Sequence, residues 1–374
     1  MKKMRPLVSA WVGQGNFGDE LLSYGLRLEI KRSAEVDFFS YYESGGYSLY
    51  SDGVSDNARL LNIGRPNRLL GLARRYFQSL SGYDTFFFGG GSIFHTSNSI
   101  LWKHQLLRKA RKENPSLNSA AVGISLGPFP DVHAERQALA FLQELDLIHC
   151  RDSASMAFAQ QLAGKVRLVQ GRDLAFSVKA LCPQLFISRK LKGRVGLSFI
   201  LDPKLGAAEK ERRFLKMQAL VDFLTFSGNE VVLVGLYTGA KYSDDRLHDR
   251  LFSSAKNKSL IRILHYKGDV PEIISCISSC SFYISMRLHG LITAFLSGVP
   301  FFALSSHSKV VEFCGSVAAL GLGGEWGDFD LDFTILKERI TFLLSQSCRY
   351  QVNYEASVDE IYMAGSSSLA GFLR

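Results

Sequence analysis

A chain of 374 residues with 47% hydrophobic and 21% charged side chains reads as globular, and it is long enough for two domains. Its 44 Lys and Arg against 35 Asp and Glu leave a net charge of +9, which favours an anionic partner such as a phosphorylated small molecule, an acidic glycan, a membrane surface or nucleic acid. No apolar run reaches the roughly 18 residues needed to span a bilayer, so an integral membrane helix is excluded at this level.

In chain order, the opening MKKMRPLVSAWVG imitates a signal peptide, but its apolar core is short and GDE follows quickly, so a cytoplasmic protein is expected. RPLVSAWVG reads as a strand, NFGDELLSYGLRLEIKRS as a helix and EVDFFSYY as a second strand. A polar stretch from Glu43 to about Asn67 reads as an inserted loop. The alternation resumes with the strand YDTFFFGGG, the helix SILWKHQLLRKARKE, the strand SAAVGISLG, the helix HAERQALAFLQE and the strand LDLIHCRD. A helix from Ser153 to Ala163 and the strand KVRLVQGRD close the first series.

KALCPQLFISRKLK, with its proline and basic cluster, reads as a linker. A second series follows, with strands in GRVGLSFI, NEVVLVGLY, IRILHYKG, CSFYISM and VPFFALS and helices at about 209–227, 243–257, 270–279, 288–298 and 308–320. FTILKERITFLLSQ adds one more amphipathic helix. The expected fold is α/β: two doubly wound Rossmann-like domains facing a cleft, the GT-B-like arrangement, with ligands at the carboxyl ends of the strands. The expected boundaries are 1–185, assigned to an acceptor; 186–345, assigned to a donor; and a tail, 346–374, packing back on the first domain.

Six cysteines, at 150, 182, 276, 280, 314 and 348, sit in apolar surroundings and read as buried thiols. Cys276 and Cys280 would share a helical face, but no second Cys/His pair at zinc spacing accompanies them, so no metal site is expected. No cofactor is expected either.

The candidate chemistry lies where strands end. After the first strand, Gly13, Gly15 and Gly18 have the G-x-G-x-x-G spacing, with Asn16 and Asp19 where a helix begins. Asp19 and Glu20 would place negative charge beside a pyrophosphate, so a tight turn with a helix cap competes with a nucleotide site. Gly90, Gly91 and Ser92 follow the strand TFFF, a pattern that suits either close approach of a sugar or backbone or a simple turn of the chain. Arg151 ends LDLIHC and suits a carboxylate or phosphate, unless it pairs with Asp152 or Asp173. The richest junction is SMRLHG: Arg287, Leu288 and His289 bring a guanidinium, an imidazole and a helix N-terminus together, an anion site with a proton donor attached. Ser305, His307 and Lys309 follow the last strand and either line the same place or cap the next helix.

Taken in order, GQGNFGDELL, FFFGGGSIF, HCRDSASM and SMRLHGLITAFLSGVP, followed by Lys309, resemble the polysaccharide pyruvyl transferase family. The resemblance spans residues 13 to about 322, with a shorter glycine run than the family's usual form and RDLAF where D-P-A is usual. It implies transfer of a pyruvyl group from phosphoenolpyruvate to two hydroxyls of a sugar, giving a cyclic ketal and phosphate. It also implies that Arg151 and Arg287 hold the donor, with Leu288, His289 and Lys309 beside it, and that His289 is the acid/base residue. Gly15, Asn16, Asp19, Gly90, Gly91, Ser92, Ser305 and His307 are the expected acceptor or cleft-lining residues. The expected partners are phosphoenolpyruvate and a sugar acceptor, lipid-linked or not, with peripheral contact to an anionic membrane and none with nucleic acid. A nucleotide-sugar glycosyltransferase or a non-catalytic glycan-assembly protein would share this layout.

Overall fold

Each of the two alternating series forms its own parallel sheet. The computed structural model describes residues 5–31, 37–40, 59–62, 79–239, 243–318 and 324–346. They divide into two compact units: one holds the residues up to Gln14 together with Asp19–Leu181, the other Gly15–Gly18 and the described residues from Cys182 onward.

In the first unit the strands are β1 (Pro6–Ser9), β2 (Asp37–Ser40), β3 (Arg59–Asn62), β4 (Thr85–Gly91), β5 (Asn118–Ile124), β6 (Leu147–Cys150) and β7 (Arg167–Gln170). They are ordered β3-β2-β1-β4-β5-β6-β7, and every pairing is parallel. The helices are α1 (Phe17–Lys31, from Asp19 within this unit), α2 (Ser97–Glu113), α3 (Val132–Leu142), α4 (Ser153–Ala159) and α5 (Ala175–Leu181). A parallel strand covered on both faces needs apolar side chains on both, and β4 is buried at all seven positions. Phe86 and Phe88 stack on one face at 4.4 Å and Phe88 meets Phe141 of α3, while Phe87 joins Leu22 and Leu26 of α1 on the other.

In the second unit β8 (Arg194–Ser198), β9 (Glu230–Val234), β10 (Ile261–Leu264), β11 (Phe282–Ser285), β12 (Phe301–Leu304) and β13 (Gly324–Gly327) are ordered β10-β9-β8-β11-β12-β13, again parallel. Their helices are α6 (Ala207–Phe226), α7 (Asp244–Ser254), α8 (Val270–Ser278), α9 (Leu288–Leu296), α10 (Ser308–Ala318) and α11 (Phe333–Gln346). The order of the first sheet reverses between β1 and β4, and that of the second between β8 and β11. Connections diverge at such switch points, leaving room for ligands outside the carboxyl ends of the strands.

Three elements depart from the sequence expectation. β3 lies inside the stretch read as a polar loop, β13 follows the last expected strand of its sheet, and a helix, α5, occupies Ala175–Leu181, running into the first three residues of the expected linker. Both strands are four residues long and stand at sheet edges, RLLN and GEWG, too short and mixed to show a period. The remainder of the Glu43–Asn67 stretch and the tail from 347 lie outside the described residues. Among the described residues no helix is long and apolar enough to cross a membrane.

Candidate functional site

The handover from β11 to α9 lies at the switch point of the second sheet. Ser285, the last residue of β11, is fully buried; its Oγ accepts a bond from Arg287 N at 2.9 Å and donates to Arg287 O at 3.0 Å. That local turn fixes the backbone of Arg287 where the chain leaves the sheet. Arg287 is the N-cap of α9 in an extended conformation, and its side chain makes no capping bond. The first amides of α9 are therefore not satisfied from their own cap, as an anion site requires. Gly290 permits the sharp start: a Cβ there would stand 2.8 Å from Ser285 Oγ and 3.0 Å from Leu236 Cδ1.

The guanidinium of Arg287 is oriented by Asp244, the first residue of α7. Nε donates to Asp244 Oδ2 at 2.8 Å and Nη2 to Oδ1 at 2.5 Å, a two-pronged pair in which the carboxylate is 2% exposed and the guanidinium 19%. Asp244 Oδ2 also accepts from Leu236 N at 3.1 Å, and Asp244 N donates to Tyr237 O at 2.8 Å. Burial pushes the Asp244 carboxyl up from its ordinary value, against the pull of Arg287 and the backbone amides. The Tyr237 ring lies 5.4 Å from Arg287 Cζ. A cavity of about 260 Å³ shares Asp244 and is lined by Ile200, Leu201, Pro203, Arg246 and Arg250 among others.

Gly15–Gly18 completes this corner. Asn16 pairs with Tyr237 in an antiparallel bridge, Phe17 N donates to Leu236 O at 2.9 Å and Thr238 N to Gly15 O at 2.8 Å. Phe17 is fully buried, edge-on to Tyr266. Asn16 Oδ1 accepts from Gly18 N at 3.1 Å and so caps the start of α1. Gly15, at φ +66°, has Thr238 Oγ1 where a Cβ would be, and Gly18 lies directly against the His289 ring. Ser305, His307 and Lys309 follow β12 in the same unit, where Ser305 Oγ accepts from His307 N at 3.2 Å. Burial, and then Lys309, lowers the His307 pKa.

Arg151 belongs to the first unit, at the end of β6. Its Nε donates to Ser125 Oγ at 2.7 Å and its Nη1 to Asp173 Oδ2 at 2.8 Å, and the side chain is 7% exposed. Asp152 caps α4 through Ser155 N and accepts from Ser125 Oγ at 2.6 Å. Gly90 and Gly91, both at positive φ, leave room for α1: a Cβ on Gly90 would stand 2.9 Å from Leu22 Cβ, and one on Gly91 would be 3.6 Å from Asp19 Oδ1. The close approach read from these glycines is thus made by a helix of the same chain, with Ser92 half-buried beside it.

The structure therefore brings Arg287, Leu288, His289, Gly15 and Asn16 to one corner, with Ser305, His307 and Lys309 after the neighbouring strand. Arg151, Asp19, Gly90, Gly91 and Ser92 lie in the other unit. Asp244, Tyr237 and Ser285 were missed as parts of the site, and Gly18 was read only as one glycine of the turn after the first strand, not as a neighbour of His289. The one signal for the first two is GLYTG after β9, a glycine-bounded strand end followed by the cap sequence Ser243-Asp244-Asp245. Among the described residues no three His, Cys, Asp or Glu side chains group to hold a metal ion. Burial raises the thiol pKa of Cys150, Cys276, Cys280 and Cys314, which keeps them protonated and unreactive at neutral pH.

The sequence matches the model of a protein family described as polysaccharide pyruvyl transferase over residues 16–308. Three solved structures share its fold. A putative UDP-N-acetylglucosamine 2-epimerase from Listeria monocytogenes is 11% identical with a TM-score of 0.61, covering 95% of this chain and 92% of that one. UDP-GlcNAc 2-epimerase from Neisseria meningitidis, bound to UDP-GlcNAc, is 14% identical with a TM-score of 0.59 over 99% and 98%. Os79 from O. sativa, in complex with UDP, is 12% identical with a TM-score of 0.55 over 98% and 99%. At these identities the likeness is one of fold, the GT-B-like pairing of parallel-sheet α/β units. No curated protein matches the chain.

Proposed function

The chain belongs to the polysaccharide pyruvyl transferase family, and from that premise we propose that it moves the pyruvyl group of phosphoenolpyruvate onto two hydroxyls of a sugar, forming a cyclic ketal and releasing phosphate. The observation that carries this reading is the β11–α9 junction. One guanidinium, held rigid by Asp244, caps a helix whose first amides it leaves unsatisfied, and an imidazole follows two residues later. Phosphoenolpyruvate carries a phosphate and a carboxylate, so it needs this kind of fixed positive field. Arg287 Nη1 makes no hydrogen bond among the described residues, which leaves that edge of the fork for the donor.

The chemistry follows from the enol. His289 delivers a proton to the methylene carbon while a sugar hydroxyl attacks the adjacent carbon and gives up its own proton. The second hydroxyl then attacks the same carbon, the bond from that carbon to the phosphate oxygen breaks, and phosphate leaves with the remaining proton. For Arg151 the family resemblance implies donor binding as well. Its guanidinium is shared between Asp173 and Ser125, so the proposal rests first on Arg287. The acceptor is a sugar of a cell-surface polysaccharide or its lipid-linked precursor, and the reaction is placed in the cytoplasm.

A phosphate-release screen with phosphoenolpyruvate against a panel of sugars tests this. One or more acceptors should release phosphate, and Arg287→Ala should lower turnover by about 10²-fold or more. Release of nucleoside diphosphate from sugar nucleotides, with none of phosphate from phosphoenolpyruvate, would mark a glycosyltransferase and overturn it.

A further inference from the structure

Gly15–Gly18 has a place in the second unit that its sequence, a glycine-rich turn before a helix, does not reveal. Two backbone hydrogen bonds, which make the Asn16–Tyr237 bridge, tie it to Leu236–Thr238, and a buried Phe17 anchors it beside Tyr266. Leu236–Tyr237 in turn holds Asp244, the partner of Arg287. A three-residue strip after β9 thus carries the support of Arg287 on one side and Gly15–Gly18 on the other.

At the end of that segment Gly18 meets the His289 imidazole. A Cβ there would lie well inside van der Waals distance of Nδ1, 2.8 Å from Cγ and 3.0 Å from Cε1. A four-residue segment that merely turned the chain would tolerate alanine at the second position of a helix. This one cannot, unless the imidazole moves by roughly an ångström, a displacement large enough to cost two orders of magnitude in a proton transfer. Asn16 fixes the point of contact, because its Oδ1 takes the amide of Gly18 itself.

We infer that Gly18, set by the Asn16 cap and the Gly15–Gly18 pairing with Leu236–Thr238, is a positioning residue for the His289 imidazole. The inference rests on the reading of His289 as the proton donor only for its kinetic consequence; the placement of the ring is independent of it.

The test is a double-mutant cycle read with two instruments. Gly18→Ala should lower kcat at least 10-fold, leave the KM for phosphoenolpyruvate within about threefold, and leave the melting temperature near that of the parent. In a His289→Ala background the same change should cost less than twofold, because the ring it displaces is gone. By NMR, Gly18→Ala should move the ring signals of His289 while those of His133 stay in place. An unmoved His289 spectrum, or a kinetic penalty that persists without the imidazole, overturns the inference. If the parent transfers no pyruvyl group, the proposed function fails while the NMR arm still decides the placement. If Gly18→Ala does not fold, Asn16→Ala removes the bond that fixes Gly18 without adding bulk; displaced His289 ring signals support the inference and unchanged ones overturn it.

Discussion

Arg287 depends on Asp244, a residue 43 positions earlier in the chain. The carboxylate is 2% exposed and the guanidinium 19%, so neither finds an adequate substitute partner in water when the other is removed. Asp244→Ala leaves a partly buried cation and two backbone amides unpaired, and it should destabilise the protein by about 3 kcal/mol. Asp244→Asn keeps the shape and one acceptor, so its cost should be less than half of that. Urea unfolding of the two variants checks the order. In the proposed reaction the same loss of orientation should raise the KM for phosphoenolpyruvate at least 10-fold in Asp244→Ala. An unchanged KM would show that Arg287 keeps its place without the carboxylate.

At the scale of elements, charges that look dispersed in the sequence turn out to be committed. KHQLLRKARKE reads most simply as a solvated basic face, but in α2 Lys103 is buried beside Ser99. Arg108 pairs with Glu144, Lys109 with Glu113 and Arg111 with Asp146. The basic cluster read as a linker holds Lys190, whose Nζ donates to Ser278 O at 2.8 Å and Ser297 O at 2.7 Å. It thereby joins the carbonyl ends of α8 and α9, where a cation also meets the negative pole of each helix. Lys190→Ala should cost about 2 kcal/mol in urea unfolding, whereas Lys192→Ala, an exposed neighbour, should cost almost nothing. Equal effects would return the segment to a passive linker. Long strands and helices were legible because period and breakers are local, and Arg287 and His289 were legible because they sit at a junction that pattern alone locates. Asp244, Lys190 and Gly18 were not, because their partners lie 43, 88 and 271 positions away and no local spacing encodes them.

Across the whole molecule each unit buries one histidine in neutral form. His149 of the first unit accepts a bond from Gly123 N at Nδ1, packs its ring against Gly171, and has its pKa lowered by burial to about 4. His248 of the second accepts from Phe199 N at 3.4 Å, and burial lowers it to about 3. An unfolded histidine titrates near 6.5, so below that pH the unfolded chain takes up protons that the folded chain refuses. The contribution of these two histidines is therefore complete above pH 6.5 and falls as the pH drops toward 4, by about 3 kcal/mol for each over that range. Carboxylates held low by cations, such as Glu144 and Glu230, lose their contribution only below their ordinary value of 4.5. The interval from pH 6.5 to 5 therefore separates the histidines from these carboxylates. His149→Gln and His248→Gln should each flatten the fall in unfolding free energy across that interval. Because the two rings sit in separate cores, the double variant should flatten it by the sum. A slope unchanged in both single variants would mean that neither ring is kept neutral by burial.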